Sequence, residues 1–66
     1  MIRTDKLRGI IAENGETQAS VARMIGITQD TFYKKMKRGV FGSDEIMIMI
    51  DKLHIDNPSD IFFAKE

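Results

Sequence analysis

Apolar residues near the start of the chain recur at spacings of three and four, the period of an amphipathic helix. Leu7, Ile10 and Ile11 follow this spacing. They predict a helix from about residue 5 to residue 14, with Thr4 as its N-terminal cap. The residue after this segment is a glycine, a type that commonly ends helices, so we expect the first helix to stop there.

Two further helical patterns follow, each preceded by a threonine. Thr17 precedes a pattern that predicts a helix over residues 18–25, and Thr28 precedes one that runs from residue 29 to about residue 37. Gly26 lies between them, where a chain leaving a helix often needs a positive φ. Because the connection is so short, the two helices cannot run antiparallel and must cross steeply. This is the helix-turn-helix arrangement, whose second helix is free to enter a DNA major groove.

The apolar run of residues 46–50, Ile-Met-Ile-Met-Ile, fits either a buried strand or a helix. Ser43 is a good helix cap, two acidic residues follow it, and no second strand is available for pairing, so a helix is favoured. Ile48 would then point away from the core and be exposed. The residues that gather on the core side of such a helix are Ile46, Met49, Ile50 and Leu53.

Two features complete the predicted fold. Asn57 is expected to cap a last short helix with Pro58 at its first position, where the missing N–H costs nothing. Phe41, in the loop of residues 39–42, is expected to fill the core beneath that loop. The whole pattern predicts an all-α, compact domain of five helices over residues 1–66, with the helix-turn-helix at about residues 17–38. A domain of this size has only a marginal core.

The residue types present exclude several classes of protein. There is no cysteine, so disulfides and thiolate metal sites are not available. The single histidine, His54, lies at the end of the fourth predicted helix, where it is expected to meet the terminal carbonyls. No serine–base pair or carboxylate dyad is apparent, so we expect no catalytic residues, no metal and no cofactor. No apolar run is long enough to span a bilayer, and the polar start does not resemble a signal peptide, so we expect a soluble, cytoplasmic protein.

Charge is unevenly distributed along the chain, although the formal net charge is zero. Residues 1–42 carry eight Lys or Arg and four Asp or Glu, a net +4, whereas residues 43–66 carry a net −4. A molecule with this distribution can present one face to a polyanion and keep the other away. The alternative is that the basic residues 34–38 are simply a solvated helix end, where cations suit the helix dipole.

Several positions resemble the phage Cro and cI repressors and the wider Xre group of regulators. Gln18, Ala22, Gly26 and Phe32 lie where that family has glutamine, alanine, glycine and a branched apolar residue. The tail, with Phe41, residues 43–46, Leu53 and residues 61–63, is similar to the ending of many small phage regulators. The resemblance covers residues 6–63. It implies a lambda-repressor-like domain that regulates transcription in a bacterial host cell, by occupying a double-stranded DNA operator and so acting as a repressor.

The resemblance also implies which residues of the second helix of the motif, the recognition helix, read bases. Gln29 can pair with adenine, Lys34 with guanine or a phosphate, and Asp30 with cytosine N4. The alternative for Asp30 is that it stabilises the helix dipole. Tyr33 offers its ring to a thymine methyl or its hydroxyl to a phosphate, the alternative being a surface tyrosine packed at the edge. Thr28 would lie at the lip of the groove.

Phosphate contacts are implied at both ends of the helix-turn-helix. Gln18 would use its amide and the N–H groups of its helix end, the alternative being a solvated residue. Lys37 and Arg38 would contact the backbone. One departure from the family lies between them: Lys35 stands where an apolar residue is usual, so either Met36 packs in its place or the Lys35 stem lies along the core.

We expect the protein to bind DNA as a homodimer, because one recognition helix reads too few base pairs. The candidate interface residues are Ile48, Phe62 and Phe63, with only one of the two adjacent phenylalanines free. No small-molecule ligand or membrane partner is indicated. The alternative function is that of a helical adaptor, similar to an antirepressor or antitoxin, that binds protein and does not read DNA.

Overall fold

The computed structural model describes residues 2–63, and these residues form helices joined by short connections without any strand. The helices are α1 (Thr4–Glu13), α2 (Gln18–Ile25), α3 (Gln29–Arg38), α4 (Ser43–Lys52) and α5 (Pro58–Phe62). The all-α class is therefore confirmed, and the ambiguous run of residues 46–50 is helical. None of the described helices has the length and apolar character needed to cross a membrane. The charged tail residues Lys65 and Glu66 lie outside the described part of the chain.

The two threonines that precede α2 and α3 cap these helices as predicted. Thr17 Oγ1 accepts from the Ser20 N–H at 3.1 Å, and Ser20 Oγ accepts in return from the Thr17 N–H at 2.9 Å. Thr28 Oγ1 accepts from the Thr31 N–H at 3.1 Å. Because each cap satisfies an orphan N–H group of the first turn, the sequence defines both starts locally.

The predictions that Thr4 and Ser43 cap their helices are wrong, since each is the first helical residue. The N-cap of α1 is Arg3, whose N–H donates to the Ile61 carbonyl in α5 at 2.7 Å. The N-cap of α4 is Gly42, whose N–H donates to the carboxylate of Glu45 at 2.7 Å. In both cases a hydrogen bond to another group holds the preceding residue, so each helix begins one position earlier than the side-chain chemistry indicated.

The Arg3 side chain also contacts the first turn of α1. Its guanidinium donates to both carboxylate oxygens of Asp5, at 3.2 and 3.0 Å. These hydrogen bonds, on the surface of the molecule, lower the pKa of the Asp5 carboxyl below its ordinary value. At the other end of the chain, Pro58 occupies the first position of α5 as predicted, and Asn57 takes the cap position without a side-chain cap hydrogen bond.

Four helix ends share one backbone arrangement. One residue, either the first or the second after the end of the helix, has a positive φ. The residue that follows this positive-φ residue donates its N–H to the carbonyl five positions earlier in the chain. This is the Schellman motif, which satisfies carbonyls that have no partner within the helix. The positive-φ residues are Gly15 (70°), Gly26 (90°), Gly39 (71°) and His54 (53°). The hydrogen bonds are Glu16 to Ile11, Ile27 to Ala22, Val40 to Lys35 and Ile55 to Ile50.

The core lies between the helices and contains the residues that the apolar pattern predicted. Phe32 is fully buried, and Phe41 from the following loop packs against it with ring centroids 5.4 Å apart, so the prediction that Phe41 fills the core is confirmed. The core face of α4 is also confirmed, with Ile46, Met49 and Leu53 buried and Ile50 half-buried and packed against them.

Exposure on the far side of α4 differs from the prediction. Ile48 is half-buried, whereas Met47 is 69% exposed. The helical period predicts which residues point away from the core, but the exposure of each side chain also depends on the segments that pack beside the helix. At the end of the chain the two adjacent phenylalanines diverge as predicted: Phe62 belongs to the core and Phe63 is 64% exposed.

Candidate nucleic-acid interface

The exposed face of α3 carries most of the residues that were expected to contact DNA. These residues form two neighbouring rows with a spacing of four, so that the members of each row lie one above the other along the helix. The first row is Gln29, Tyr33 and Lys37, and the second is Asp30, Lys34 and Arg38; all six are exposed. The opposite side of α3 carries Phe32 and Met36, both buried. The helix is therefore attached by one side and presents a polar, cationic side to solvent.

Helix α2 packs against α3. Its buried residues are Val21 and Ala22, and the small side chain of Ala22 allows a close approach of the two helices. The chain leaves α2 through Gly26 in the left-handed region and enters α3 through the Thr28 cap. Ile27, between them, packs against the core cluster. Both ends of this three-residue connection are thus fixed by hydrogen bonds.

The first two residues of each row pair with each other along the helix. Gln29 Nε2 donates to Tyr33 Oη at 2.8 Å, and Lys34 Nζ lies 3.1 Å from a carboxylate oxygen of Asp30. The side chains of the ion pair are more than 70% exposed, so the pair contributes only about 0.3–0.5 kcal/mol. Both pairs can therefore be exchanged for contacts to another molecule at little cost.

The side chain of Thr28 is more constrained than the side chains of the two exposed rows. Its hydroxyl accepts from the Thr31 N–H and also lies 2.8 Å from the Thr31 hydroxyl, as the donor of a second hydrogen bond. These bonds commit the hydroxyl to the helix end. A contact from Thr28 to a base stays a prediction.

The residues expected to bind phosphate lie at the start of α2 and the end of α3. Gln18 is the first residue of α2 and is half-buried. Lys37 and Arg38 are exposed in the last turn of α3. Within residues 2–63 neither of these two cations forms an ion pair, so their charges are available to a polyanion.

One ion pair at the edge of this face was missed by the sequence analysis. Lys35 Nζ lies 2.7 Å from each carboxylate oxygen of Glu45, in the first turn of α4. Glu45 is only 8% exposed and is the one charged side chain that is buried among the described residues. The signal available in the sequence was a lysine at an apolar position, but its partner lies ten residues away on another helix. Met36 is buried and supplies the packing at this point of α3.

The expected interface between two copies is partly corrected. Phe62 is 3% exposed because it fills the core, so it is not available to a second molecule. Phe63 is exposed and Ile48 is half-buried. Both stay candidates for this contact, and Met47, in the same helix as Ile48, is a large exposed apolar residue that the sequence analysis did not single out.

A separate groove lies between α1 and the α4–α5 connection. Ile10 and Leu53 contribute to its apolar lining, and Glu13, Asp56 and Asp60 contribute negative charge. Among residues 2–63 no three His, Cys, Asp or Glu side chains come together in a way that would hold a metal ion. The acidic groove and the cationic face of α3 are built by different helices.

Comparison of the chain with protein-family models, with curated proteins and with solved structures finds no match. The resemblance to the Cro and cI repressors therefore rests on the residues of this chain, chiefly Gln18, Ala22, Gly26 and Phe32.

Proposed function

We propose that this protein is a sequence-specific, double-stranded DNA-binding transcriptional regulator that inserts α3 into the major groove. The observation that carries the proposal is the pair of exposed rows on α3, in a helix that is joined to α2 by a fixed three-residue connection. A recognition helix needs this arrangement, since one side must be anchored while the other offers hydrogen-bonding groups to base edges.

Base reading would exchange the contacts within each row for contacts to DNA. Gln29 releases its hydrogen bond to Tyr33 and pairs with N6 and N7 of an adenine. Lys34 releases Asp30 and donates to guanine or to a phosphate, which leaves Asp30 free to accept from cytosine N4. Because the outgoing contacts are worth only a few tenths of a kcal/mol in solvent, they do not prevent binding.

Phosphate binding would fix the orientation of the helix on the duplex. Lys37 and Arg38 supply cations at one end of the interface, and Gln18 supplies its amide at the start of α2. Regulation would then follow from occupancy, in the manner implied by the resemblance to a phage or prophage Cro/cI repressor, because a bound protein blocks or positions the polymerase in the cytoplasm of the bacterial host.

The direct test is selection of bound sites from a pool of random duplexes, followed by titration of the selected site at several salt concentrations. We expect one sequence to be enriched and its binding constant to fall steeply with salt, because bound cations release counterions from DNA. A pool that shows no enrichment, together with retention on a DNA column that does not depend on salt, would exclude this function.

That result would favour the alternative, a helical adaptor that binds protein. The observation in its favour is the exposure of two large apolar side chains, Met47 (69%) and Phe63 (64%). Apolar contacts are insensitive to moderate salt, so the same column experiment separates the two functions.

A further inference from the structure

The ion pair between Lys35 of α3 and Glu45 of α4 is fixed at its carboxylate end by the backbone. The carboxylate of Glu45 accepts from Lys35 Nζ at 2.7 Å through each oxygen and from the Gly42 N–H at 2.7 Å. The side chain of Glu45 is 11% exposed and that of Lys35 32%. The backbone at the start of α4 therefore fixes the carboxylate, and the carboxylate fixes the amine of Lys35.

Lys35 lies at a position from which its ion pair can restrain the rotation of α3. Phe32 and Met36 anchor the helix to the core along one strip. Apolar contacts have no preferred direction, so this strip alone permits small rotations about the helix axis. Lys35 lies beside the strip, at its border with the exposed face, and its ion pair supplies a directional contact there.

The pair also changes the charge that α3 offers to DNA. Four cations lie in the second half of α3, at residues 34, 35, 37 and 38. The charge of Lys35 is neutralised by Glu45 at short distance in a partly buried setting, where solvent screens it less than an exposed pair. The cations left for phosphate are thus those of the two exposed rows.

We propose that Lys35 and Glu45 are positioning residues for base recognition: their ion pair fixes the rotation of α3 and withholds the Lys35 charge from the DNA backbone. The inference rests on the proposed DNA-binding function. It assigns the discrimination between sequences partly to two residues that contact no base.

The test uses the full chain, the duplex recovered by selection and an unrelated duplex of the same length. The measured quantity is the ratio of the two binding constants, together with the salt dependence of each. Two variants break the pair: Glu45→Gln, whose amide oxygen can still accept from the Gly42 N–H, and Lys35→Met, which keeps an apolar stem. Asp44→Asn is the matched control, since it removes one negative charge from the exposed neighbouring position of the same helix turn.

We expect the ratio to fall about tenfold in both variants, the loss of roughly one base contact, and to stay at the wild-type value in Asp44→Asn. Glu45→Gln should in addition bind the unrelated duplex more tightly, with a salt slope steeper by about 1, because the released Lys35 can reach a phosphate. Circular dichroism at the assay temperature confirms that each variant is folded.

Three outcomes would overturn the inference. A lower melting temperature with an unchanged ratio in both variants would give the pair a structural role only. Weaker binding of Lys35→Met to both duplexes alike, with a salt slope shallower by about 1, would make Lys35 an ordinary phosphate contact. Failure of the wild-type chain to bind either duplex would reject the proposed function itself, and is distinguished from the other two because it does not depend on a substitution.

Discussion

Gln29 and Lys37 lie in the same exposed row of α3, two turns apart, and the proposed function gives them two different kinds of DNA contact. Gln29→Ala should cost about 1–3 kcal/mol at one base pair and relax the preference there, because a bidentate pair to adenine is lost. Lys37→Ala should instead weaken binding to all sequences alike and reduce the salt slope by about 1. Titration of the selected site and of its single-base variants measures both effects.

Lys6→Ala is the matched control for these substitutions, since Lys6 is an exposed lysine on α1 at the acidic groove. It should leave the base preference unchanged and alter the salt slope less than Lys37→Ala. If Gln29→Ala folds normally and keeps the wild-type preference at every position, α3 does not read bases in the orientation we propose.

His54 is the one non-glycine residue with a positive φ in the described part of the chain. An L-residue pays about 1–2 kcal/mol in this conformation, and glycine avoids the clash but loses about 0.5–1 kcal/mol of chain entropy. His54→Gly should therefore raise the free energy of unfolding by about 0.5–1 kcal/mol. Chemical denaturation of the two proteins provides the comparison.

His54→Ala separates the backbone from the side chain, because alanine keeps the Cβ that clashes in this conformation and lacks the imidazole. We expect its stability to be close to that of the wild type. A loss of stability in both the glycine and the alanine variant would show that the imidazole makes a stabilising contact that outweighs the backbone strain.

At the scale of the element, Phe32 is the largest side chain that anchors α3 to the core. Phe32 is fully buried and packs against Phe41. Phe32→Ala should lower the free energy of unfolding by about 3–5 kcal/mol, which is a large part of the stability of a domain this small. A thermal melt measures the loss, and Tyr33→Ala, at the exposed neighbouring position, should change the melting temperature much less.

The starts and ends of the helices show how far local sequence determines an element. Thr17, Thr28 and Gly26 act on groups within a few residues of themselves, and the predictions made from them are confirmed. The prediction for Thr4 is wrong because the preceding residue is held by the Ile61 carbonyl, on a distant part of the chain. Capping rules consider the local turn only, so they cannot register such a contact.

At the scale of the whole molecule, we predict a two-fold dimer on DNA, formed by the C-terminal third of the chain. One recognition helix reads few base pairs, and a symmetric pair would read two half-sites about 34–36 Å apart. Phe63 and Ile48 are the candidate contact residues. Sedimentation at micromolar concentration, with and without a palindromic site, should show two chains per duplex.

Substitution of the candidate residues tests where the contact lies. Phe63→Lys and Ile48→Lys should weaken binding to the full site much more than to a half-site. Ala12→Lys, at an exposed position on α1, adds the same charge and should have no such effect. A complex of one chain per full site would contradict the dimer, and these substitutions would then leave full-site affinity unaffected.

The sequence by itself determined the helices, most of the core and the exposed face of α3, because helical periodicity, caps and glycines act over a few residues. Only the tertiary structure decided that Phe62 is buried while Phe63 is exposed, and that Lys35 pairs with Glu45. Both depend on how separate helices pack together. Periodicity within one helix orders its faces, but it does not specify which neighbouring helix each face contacts.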